Sequence, residues 1–173
     1  MTVNVQSLRN MSKPAALSVD LQGLEPNARK VSIEVLNACL ADEIALALAL
    51  KQAHWSVRGA NFIAVHELLD QVHGRVQAQI DTLAERVQIL DGVALGTLEA
   101  VTKFSELQPY PLDLTKAEAH ISELSERMRQ LGAKLRRGIE ATEKAGDADT
   151  ADVLTAASRQ MDKDLWFLHA HLD

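Results

Sequence analysis

Apolar residues recur at steps of three and four along most of the chain, which is the spacing of one face of an α-helix. A first helix is predicted over about residues 27–57, with Pro26 suited to its first turn and Gly59 beyond its end. A second helix is predicted to begin at Asn61, a residue that can cap a helix, and to end near residue 90. The apolar stripes of the two helices are Leu36, Cys39, Leu40, Ile44 and Leu48 in the first, and Phe62, Val65, Leu69, Val72, Val76, Leu83 and Val87 in the second.

Two further helices are predicted in the last third of the chain. The third begins near Thr115, where Glu118 completes a capping box, and continues to Gly146. The fourth begins near Thr150 and reaches the end of the sequence. Their apolar seams are Ala117, Ile121, Leu124, Met128, Leu131, Leu135 and Ile139 in the third, and Leu154, Ala157, Met161, Leu165, Leu168 and Leu172 in the fourth. No strand pattern competes, so the predicted fold class is all-α.

A connection over residues 92–114 joins the second and third helices and is long for a compact domain. Residues 97–102 can form a short helix within it, capped by Thr97. A long connection is needed where two consecutive helices run in the same direction, because the chain must then cross the length of the bundle. The pattern therefore predicts a four-helix bundle with one long crossover that carries a short helix, which is the ferritin-like topology.

Composition and charge narrow the class of protein. Aromatic residues make up 3% of the chain, which argues against a β-sandwich. The single cysteine, Cys39, excludes an intrachain disulfide and a cysteine-cluster zinc site. The net charge of −6 is unlike that of a polycation that coats DNA. No charge-free run of about 18 residues and no secretory signal is found, so we expect a cytoplasmic protein with no membrane segment.

The first 24 residues differ from the rest. They contain Pro14 and Gly23 and few apolar residues at helical spacing. We therefore expect a flexible N-terminal tail over residues 1–24 and one bundle domain over residues 25–173.

Three acids of the second helix, Asp70, Asp81 and Glu85, share one strip of its surface, and His66 lies at the edge of that strip. At 100° per residue, the eleven steps from Asp70 to Asp81 leave an angular difference of only about 20°. Taken alone, such a strip is best interpreted as a solvated face. His54, near the end of the first helix, makes a solvated face less favoured than a metal site, because an antiparallel hairpin brings His54 to the height of His66. Two imidazoles with the carboxylate of Asp70 suit a borderline divalent ion such as iron.

One chain nevertheless offers two half-sites and no complete site. Asp70 and Asp81 are about 16 Å apart along the helix, too far for one ion to bridge. If the second helices of two chains cross antiparallel near residues 75 and 76, His66 and Asp70 of one chain face Asp81 and Glu85 of the other. Gly74 beside that crossing permits close approach of the two backbones, although it can also be a tolerated helix glycine. The geometry predicts two identical intersubunit sites per dimer.

Among the other candidate residues, Trp55 and a group of acids each have two interpretations. Trp55, next to His54, can be a redox neighbour of the metal or a core residue. Three acids near the start of the fourth helix can stabilise the helix dipole, the favoured interpretation, or line an acidic ion-entry pore: Asp147, Asp149 and Asp152. Cys39 is expected in the core. The remaining histidines have no matching acids, and most are expected on the surface: His73, His120, His169 and His171.

These residues also match a known family. The stretch KQAHWSVRGANFIAVHELLD at residues 51–70 closely resembles the signature of the Dps family, the ferritin-like mini-ferritins that protect DNA during starvation. The resemblance continues through DTLAERVQILDGVALGT at residues 81–97 and DTADVLTAASRQMDKDLWF at residues 149–167. It covers nearly the whole chain after the tail.

The resemblance implies a ferroxidase with two iron ions at each two-fold interface. His54, His66 and Asp70 occupy the positions of ligands from one subunit, and Asp81 and Glu85 occupy those from its mate. The family assembles as a homo-dodecamer, oxidises Fe(II) preferentially with hydrogen peroxide, and stores Fe(III) as a mineral inside the shell. Coupling two iron oxidations to one peroxide yields water and avoids hydroxyl radical.

DNA binding is where the chain departs from one branch of the family. Members that condense DNA usually carry several lysines on a mobile tail, whereas this tail offers Arg9 and Lys13 against Asp20. With so few positive charges, counterion release contributes little to the free energy of DNA binding. Twelve tails on one shell could add their contributions through multivalency. We therefore expect DNA binding that is weak and salt-sensitive, or absent, with nucleoid association as an open alternative.

Three other functions remain for comparison. A DNA-compacting protein with a secondary metal site is disfavoured by the tail composition. A helical interaction module without metal leaves the histidines and acids unexplained. A di-iron oxygenase is disfavoured because such bundles place Glu-x-x-His pairs on two helices, and no Glu-x-x-His occurs in this sequence.

Overall fold

A computed structural model describes residue 21 and residues 23–172. These residues form five helices: α1 (Pro26–Ser56), α2 (Phe62–Ile89), α3 (Leu98–Phe104), α4 (Ala117–Ala145) and α5 (Ala148–His169). The all-α class, the four long helices and the short crossover helix are thus confirmed. The predicted tail, including Arg9 and Lys13, lies outside the described residues apart from positions 21, 23 and 24. None of the five helices is both long and apolar enough to cross a membrane.

Polar contacts between the long helices show how they pair. α1 and α2 are antiparallel, because Lys51 near the end of α1 contacts Asp70 near the start of α2. α4 and α5 form the second antiparallel pair, with Arg136 bound to Asp162. The two pairs meet where α1 packs along α4. The crossover over residues 90–116 spans the bundle, as its length predicted, because Asp91 pairs with Arg29 near the start of α1 and Thr115 bonds to Arg58 beyond the end of α1.

The core lies between the four long helices, and most of the predicted seam residues are buried there. Leu48 is an error of the prediction, since 59% of it is exposed. Successive steps of four from Leu36 rotate about 40° each around the helix, so the fourth residue in that series has left the core face. The core-facing line of α1 runs instead through Leu36, Cys39, Glu43, Leu46 and Leu50. Phe62, at the first position of α2, and Leu172, beyond the end of α5, are also exposed.

Cys39 is buried in the core, as predicted. Burial, and then the nearby Glu43, raises the pKa of its thiol to about 12. The thiol is therefore protonated and unreactive at neutral pH.

Only one of the three predicted helix caps is present in the structure. Thr97 caps α3 by accepting a hydrogen bond from the backbone N–H of Ala100, as predicted. The predicted capping box is wrong: α4 begins at Ala117, and the carbonyl of Thr115 accepts a hydrogen bond from the backbone of Arg58 instead. Asn61 makes no side-chain cap either. A tertiary contact at the α1–α2 turn thus overrides the local capping signal.

A buried carboxylate on α1 holds the crossover against the bundle through hydrogen bonds and an ion pair. Asp42 on α1 accepts hydrogen bonds from the hydroxyl of Ser105 and the backbone N–H of Glu106. Its other oxygen forms an ion pair with Lys134 on α4, and both side chains of the pair are nearly buried. This one carboxylate therefore joins α1, the crossover and α4.

His120 is buried, which corrects its predicted surface position. The Nδ1 atom of its ring lies 2.7 Å from the hydroxyl of Tyr110 on the crossover. Arg127 stacks over the Tyr110 ring and donates to the carbonyls of Gln108 and Pro109. The histidine is thus part of the contact that holds the second half of the crossover against α4.

Candidate metal centre

Two histidines meet where α1 turns into α2. His54 is in the last turn of α1, and Gly59 in the turn has a φ of 121°, a conformation that favours glycine. The turn brings the His54 ring onto that of His66, with their centroids 3.7 Å apart and their planes 20° apart. The equal height expected for these residues in an antiparallel hairpin is what the structure shows.

Backbone hydrogen bonds orient both rings. The Nδ1 atom of His54 lies 2.9 Å from the carbonyl oxygen of His66, and the Nδ1 atom of His66 lies 2.8 Å from the carbonyl oxygen of His54. A carbonyl only accepts, so each Nδ1 carries its proton and donates it. The neutral form of each ring therefore has its lone pair on Nε2, which is the tautomer that binds a metal through Nε2.

Asp70 lies one turn beyond His66 on α2 and is exposed. Its carboxylate accepts a hydrogen bond of 2.6 Å from the ammonium of Lys51 on α1. This hydrogen bond and the charge of Lys51 hold the pKa of Asp70 below its ordinary value. The carboxylate is therefore ionised at neutral pH, and a metal ion that binds it competes with Lys51.

Sequence reasoning missed Lys51, although it precedes His54 by three residues and so shares its face of α1. The hairpin places that face beside the first turns of α2, where Asp70 lies. A cation at this position, opposite a candidate acidic ligand, is the signal that could have revealed the ion pair.

Asp81 and Glu85 are exposed on α2 and have no ion-pair or hydrogen-bond partner among the other described residues. Asp81 is about 16 Å from Asp70 along the helix, so one chain does not bring these acids to the histidines. Within residues 21 and 23–172, no three His, Cys, Asp or Glu side chains are arranged to hold a metal ion. In the structure, His54 therefore contacts His66, and Asp70 is ion-paired with Lys51. Asp81 and Glu85 lie away from both pairs.

Trp55 is 70% exposed, which excludes its interpretation as a core residue of the single chain. It follows His54 directly and lies at the surface of α1. Its indole is therefore free to contact another molecule.

The three acids at the start of α5 differ in position. Asp147 is buried and caps α5, with its carboxylate accepting hydrogen bonds from Ser32, Thr150 and Arg86. It is therefore not a surface acid that could line a pore, which corrects that alternative for Asp147. Asp149 and Asp152 remain exposed at the surface. Arg86 was not singled out in the sequence, since its partner lies 61 residues away.

Comparison with known proteins agrees with this fold. The family model described as "Ferritin-like domain" matches residues 33–173. The chain is 48% identical over 149 residues to the DNA protection during starvation protein of Agrobacterium fabrum, covering 86% of this chain and 92% of that protein. This chain belongs to the ferritin-like Dps family. It is also 31% identical to the corresponding protein of Listeria innocua, over 80% of this chain and 90% of that protein.

Solved structures of the Dps family share the bundle. DpsC from Streptomyces coelicolor superposes with a TM-score of 0.85 at 33% identity, covering 88% of this chain and 89% of that one. Mycobacterium smegmatis Dps gives a TM-score of 0.85 at 30% identity, covering 91% and 95% of the two chains. The family resemblance carried by the sequence motifs is thus confirmed.

Proposed function

We propose that this chain is a ferroxidase that oxidises Fe(II), preferably with hydrogen peroxide, and stores Fe(III) inside a dodecameric shell in the cytoplasm, so protecting DNA from oxidative damage. The observation that carries the proposal is the stacked pair of His54 and His66. Because backbone carbonyls hold both Nδ1 protons, two Nε2 lone pairs are preorganised, and an ionised Asp70 lies one turn of α2 beyond His66. Membership of the Dps family supports the assignment.

The site is proposed to be completed by a second subunit. An antiparallel crossing of two α2 helices near residues 75 and 76 places Asp81 and Glu85 of one chain against His66 and Asp70 of the other. A Cβ added at Gly74 would meet no atom within 4 Å, so the face beside the crossing is open in the single chain. Exposed apolar side chains on the same hairpin, Leu48, Trp55 and Ile63, support its burial against a partner.

Iron is the substrate of the proposed reaction. Two Fe(II) ions at one intersubunit site each give one electron to a single hydrogen peroxide. Its O–O bond breaks and, with two protons from solvent, two water molecules and two Fe(III) ions form. The carboxylates of Asp70, Asp81 and Glu85 favour Fe(III), because the harder ion gains more from anionic oxygen. Few ligands leave coordination positions open for peroxide and for release of the product. Trp55 beside His54 is proposed as a redox neighbour, and Asp149 and Asp152 as acids on an ion-entry route.

Gel filtration after addition of Fe(II) and then peroxide tests oxidation together with storage. We expect iron and protein to elute together as a particle of about twelve subunits, because oxidised iron is retained inside the shell. The measurement is the iron and protein content of each fraction. Iron lost as precipitate, with the protein eluting as a small species, would overturn the storage function and the shared site.

A DNA-compacting role is the alternative, because the relatives are named for DNA protection and compaction is a second way to provide it. We expect no complex, or one that disappears at physiological salt, because Arg9 and Lys13 supply few phosphate contacts. A gel-shift titration at low and at physiological salt distinguishes the two roles. A complex that survives physiological salt would make DNA compaction the primary function.

A further inference from the structure

Three side chains carry buried polar atoms that have no hydrogen-bond partner among the described residues. Glu43 on α1 is fully buried, and neither of its carboxyl oxygens has a hydrogen-bond partner among the described residues. The Oε1 atom of Gln79 on α2 and the Nε2 atom of Gln160 on α5 are also buried and unpartnered within that part of the chain. Buried polar groups in folded proteins are almost always hydrogen-bonded, so these atoms require a partner that the side chains do not supply.

Helix register places Glu43 and Gln79 at nearly the same height. His54 and His66 stack where the antiparallel helices α1 and α2 meet. Glu43 lies eleven residues before His54, and Gln79 lies thirteen residues after His66. The two side chains therefore differ in height by about 3 Å along the bundle.

Gln160 lies at the same height along the bundle as Gln79. Arg75 on α2 is ion-paired with Asp164 on α5, and these helices also run antiparallel. Gln79 lies four residues after Arg75, and Gln160 lies four residues before Asp164. The two glutamines are therefore at equal height, and both line a groove of about 390 Å³ between α2 and α5.

Hydrogen-bond chemistry matches the protonated form of Glu43. A carboxylic acid offers one O–H donor and a carbonyl acceptor. At this height of the bundle, Gln79 Oε1 offers an acceptor for the O–H, and Gln160 Nε2 offers a donor for the carbonyl. A carboxylate would present only acceptors and would leave the acceptor of Gln79 unmatched.

Within the part of the chain that the structure describes, no charge favours the ionised form of Glu43. Its neighbours on the α1 seam include the neutral thiol of Cys39. The charged groups on the surrounding helices compensate each other in two ion pairs, Asp42 with Lys134 and Arg75 with Asp164, and Arg137 of α4 is exposed at the surface. Burial therefore raises the pKa of Glu43 from 4.5 to about 8.

We propose that Glu43, Gln79 and Gln160 enclose a hydrated site that binds a proton, in which buried water connects the Glu43 carboxyl to the groove between α2 and α5. A polar internal space with several unpartnered groups is the setting in which proteins hold ordered water. The ligands of the site are thus water and a proton that exchanges with solvent. The site is separate from the histidines and acids proposed to bind iron, and does not depend on that function.

The site makes stability depend on pH. In the unfolded chain Glu43 ionises near 4.5, whereas in the folded chain it keeps its proton up to about 8. The contribution of Glu43 to stability is therefore fully present below pH 4.5, falls as pH rises, and is lost above about pH 8. Glu43→Gln cannot ionise, so the melting temperature of this variant relative to the unmodified protein should rise across that window and then level off.

Infrared titration of the assembled protein tests the proton site. We expect the C=O band of a protonated carboxylic acid at pH 7, its disappearance around pH 8, and its absence in Glu43→Gln. Glu140→Gln, at an exposed position of α4, is the matched control and should retain the band. A protein without the band at pH 7, or a band that persists in Glu43→Gln, would overturn the proposal.

The connection to water has its own readout. Transfer to D₂O should shift the band within the mixing time, and Gln79→Met should lower the titration midpoint by about one pH unit, a tenfold change in proton affinity, because the protonated form loses the acceptor for its O–H. If Gln79→Met does not fold, Gln160→Met tests the same connection, and it should raise the midpoint because the carboxyl loses a donor. A band that stays unshifted for hours in D₂O, or an unchanged midpoint in the folded glutamine variant, would contradict the water connection.

Discussion

Replacement of both His54 and His66 by alanine is expected to slow Fe(II) oxidation by at least about 100-fold. Each ring offers one Nε2 lone pair to the metal, and the stacked pair is oriented by its two backbone hydrogen bonds. Loss of both nitrogens leaves Asp70 as the only ligand from that chain. The measurement is the initial rate of Fe(II) oxidation after peroxide is added without oxygen.

A second double variant provides the control. His169→Ala with His171→Ala also removes two histidines, at and just beyond the C-terminal end of α5, and should leave the rate unchanged. Equal rates in the His54/His66 double variant and the unmodified protein would contradict the proposed metal centre.

Mixed assemblies test whether the site is shared between subunits. Chains lacking His54 and His66 should be inactive alone, as should chains lacking Asp81 and Glu85. Refolded together in equal amounts, they form mixed dimers in which one site has every ligand, so about a quarter of the unmodified rate should return. No recovery in mixed assemblies of normal size would show that the ligands belong to one chain.

Asp147→Ala is expected to cost about 3–5 kcal/mol of stability, because it leaves a nearly buried Arg86 without its carboxylate. The substitution also removes the α5 cap and the acceptor for the hydroxyl of Ser32. For a chain of this size the loss corresponds to a fall of about 10 °C in melting temperature. Thermal unfolding at fixed protein concentration measures it, and Asp149→Ala, two residues away and exposed, should change the melting temperature by less than about 2 °C.

The effect of Asp147→Ala should depend on pH. Burial opposes ionisation of Asp147, but hydrogen bonds from Ser32 and Thr150 and the charge of Arg86 outweigh it and lower the pKa below its ordinary 3.8. The stabilising contribution is therefore present above pH 3.8 and is lost as pH falls through the lowered pKa. A difference between variant and unmodified protein that stays constant down to the acid limit would contradict this account.

The sequence by itself determined the helices and the residues placed on each face of them. The spacing of Val65, Leu69, Val72 and Val76 reports helical period directly, since neighbours three and four apart share a face. The same reasoning located His54 and His66 at equal height, because a short antiparallel turn leaves little freedom in register.

The tertiary structure decided the contacts between residues distant in the chain. Whether Lys51 contacts Asp70, whether Asp147 points inward to Arg86, and whether His120 is buried depend on the rotation and register of helices against one another. The exposure of Leu48 and the loss of the Thr115 cap arise in the same way. Periodicity is a local property of the chain, whereas burial and ion pairing are fixed only when the helices pack.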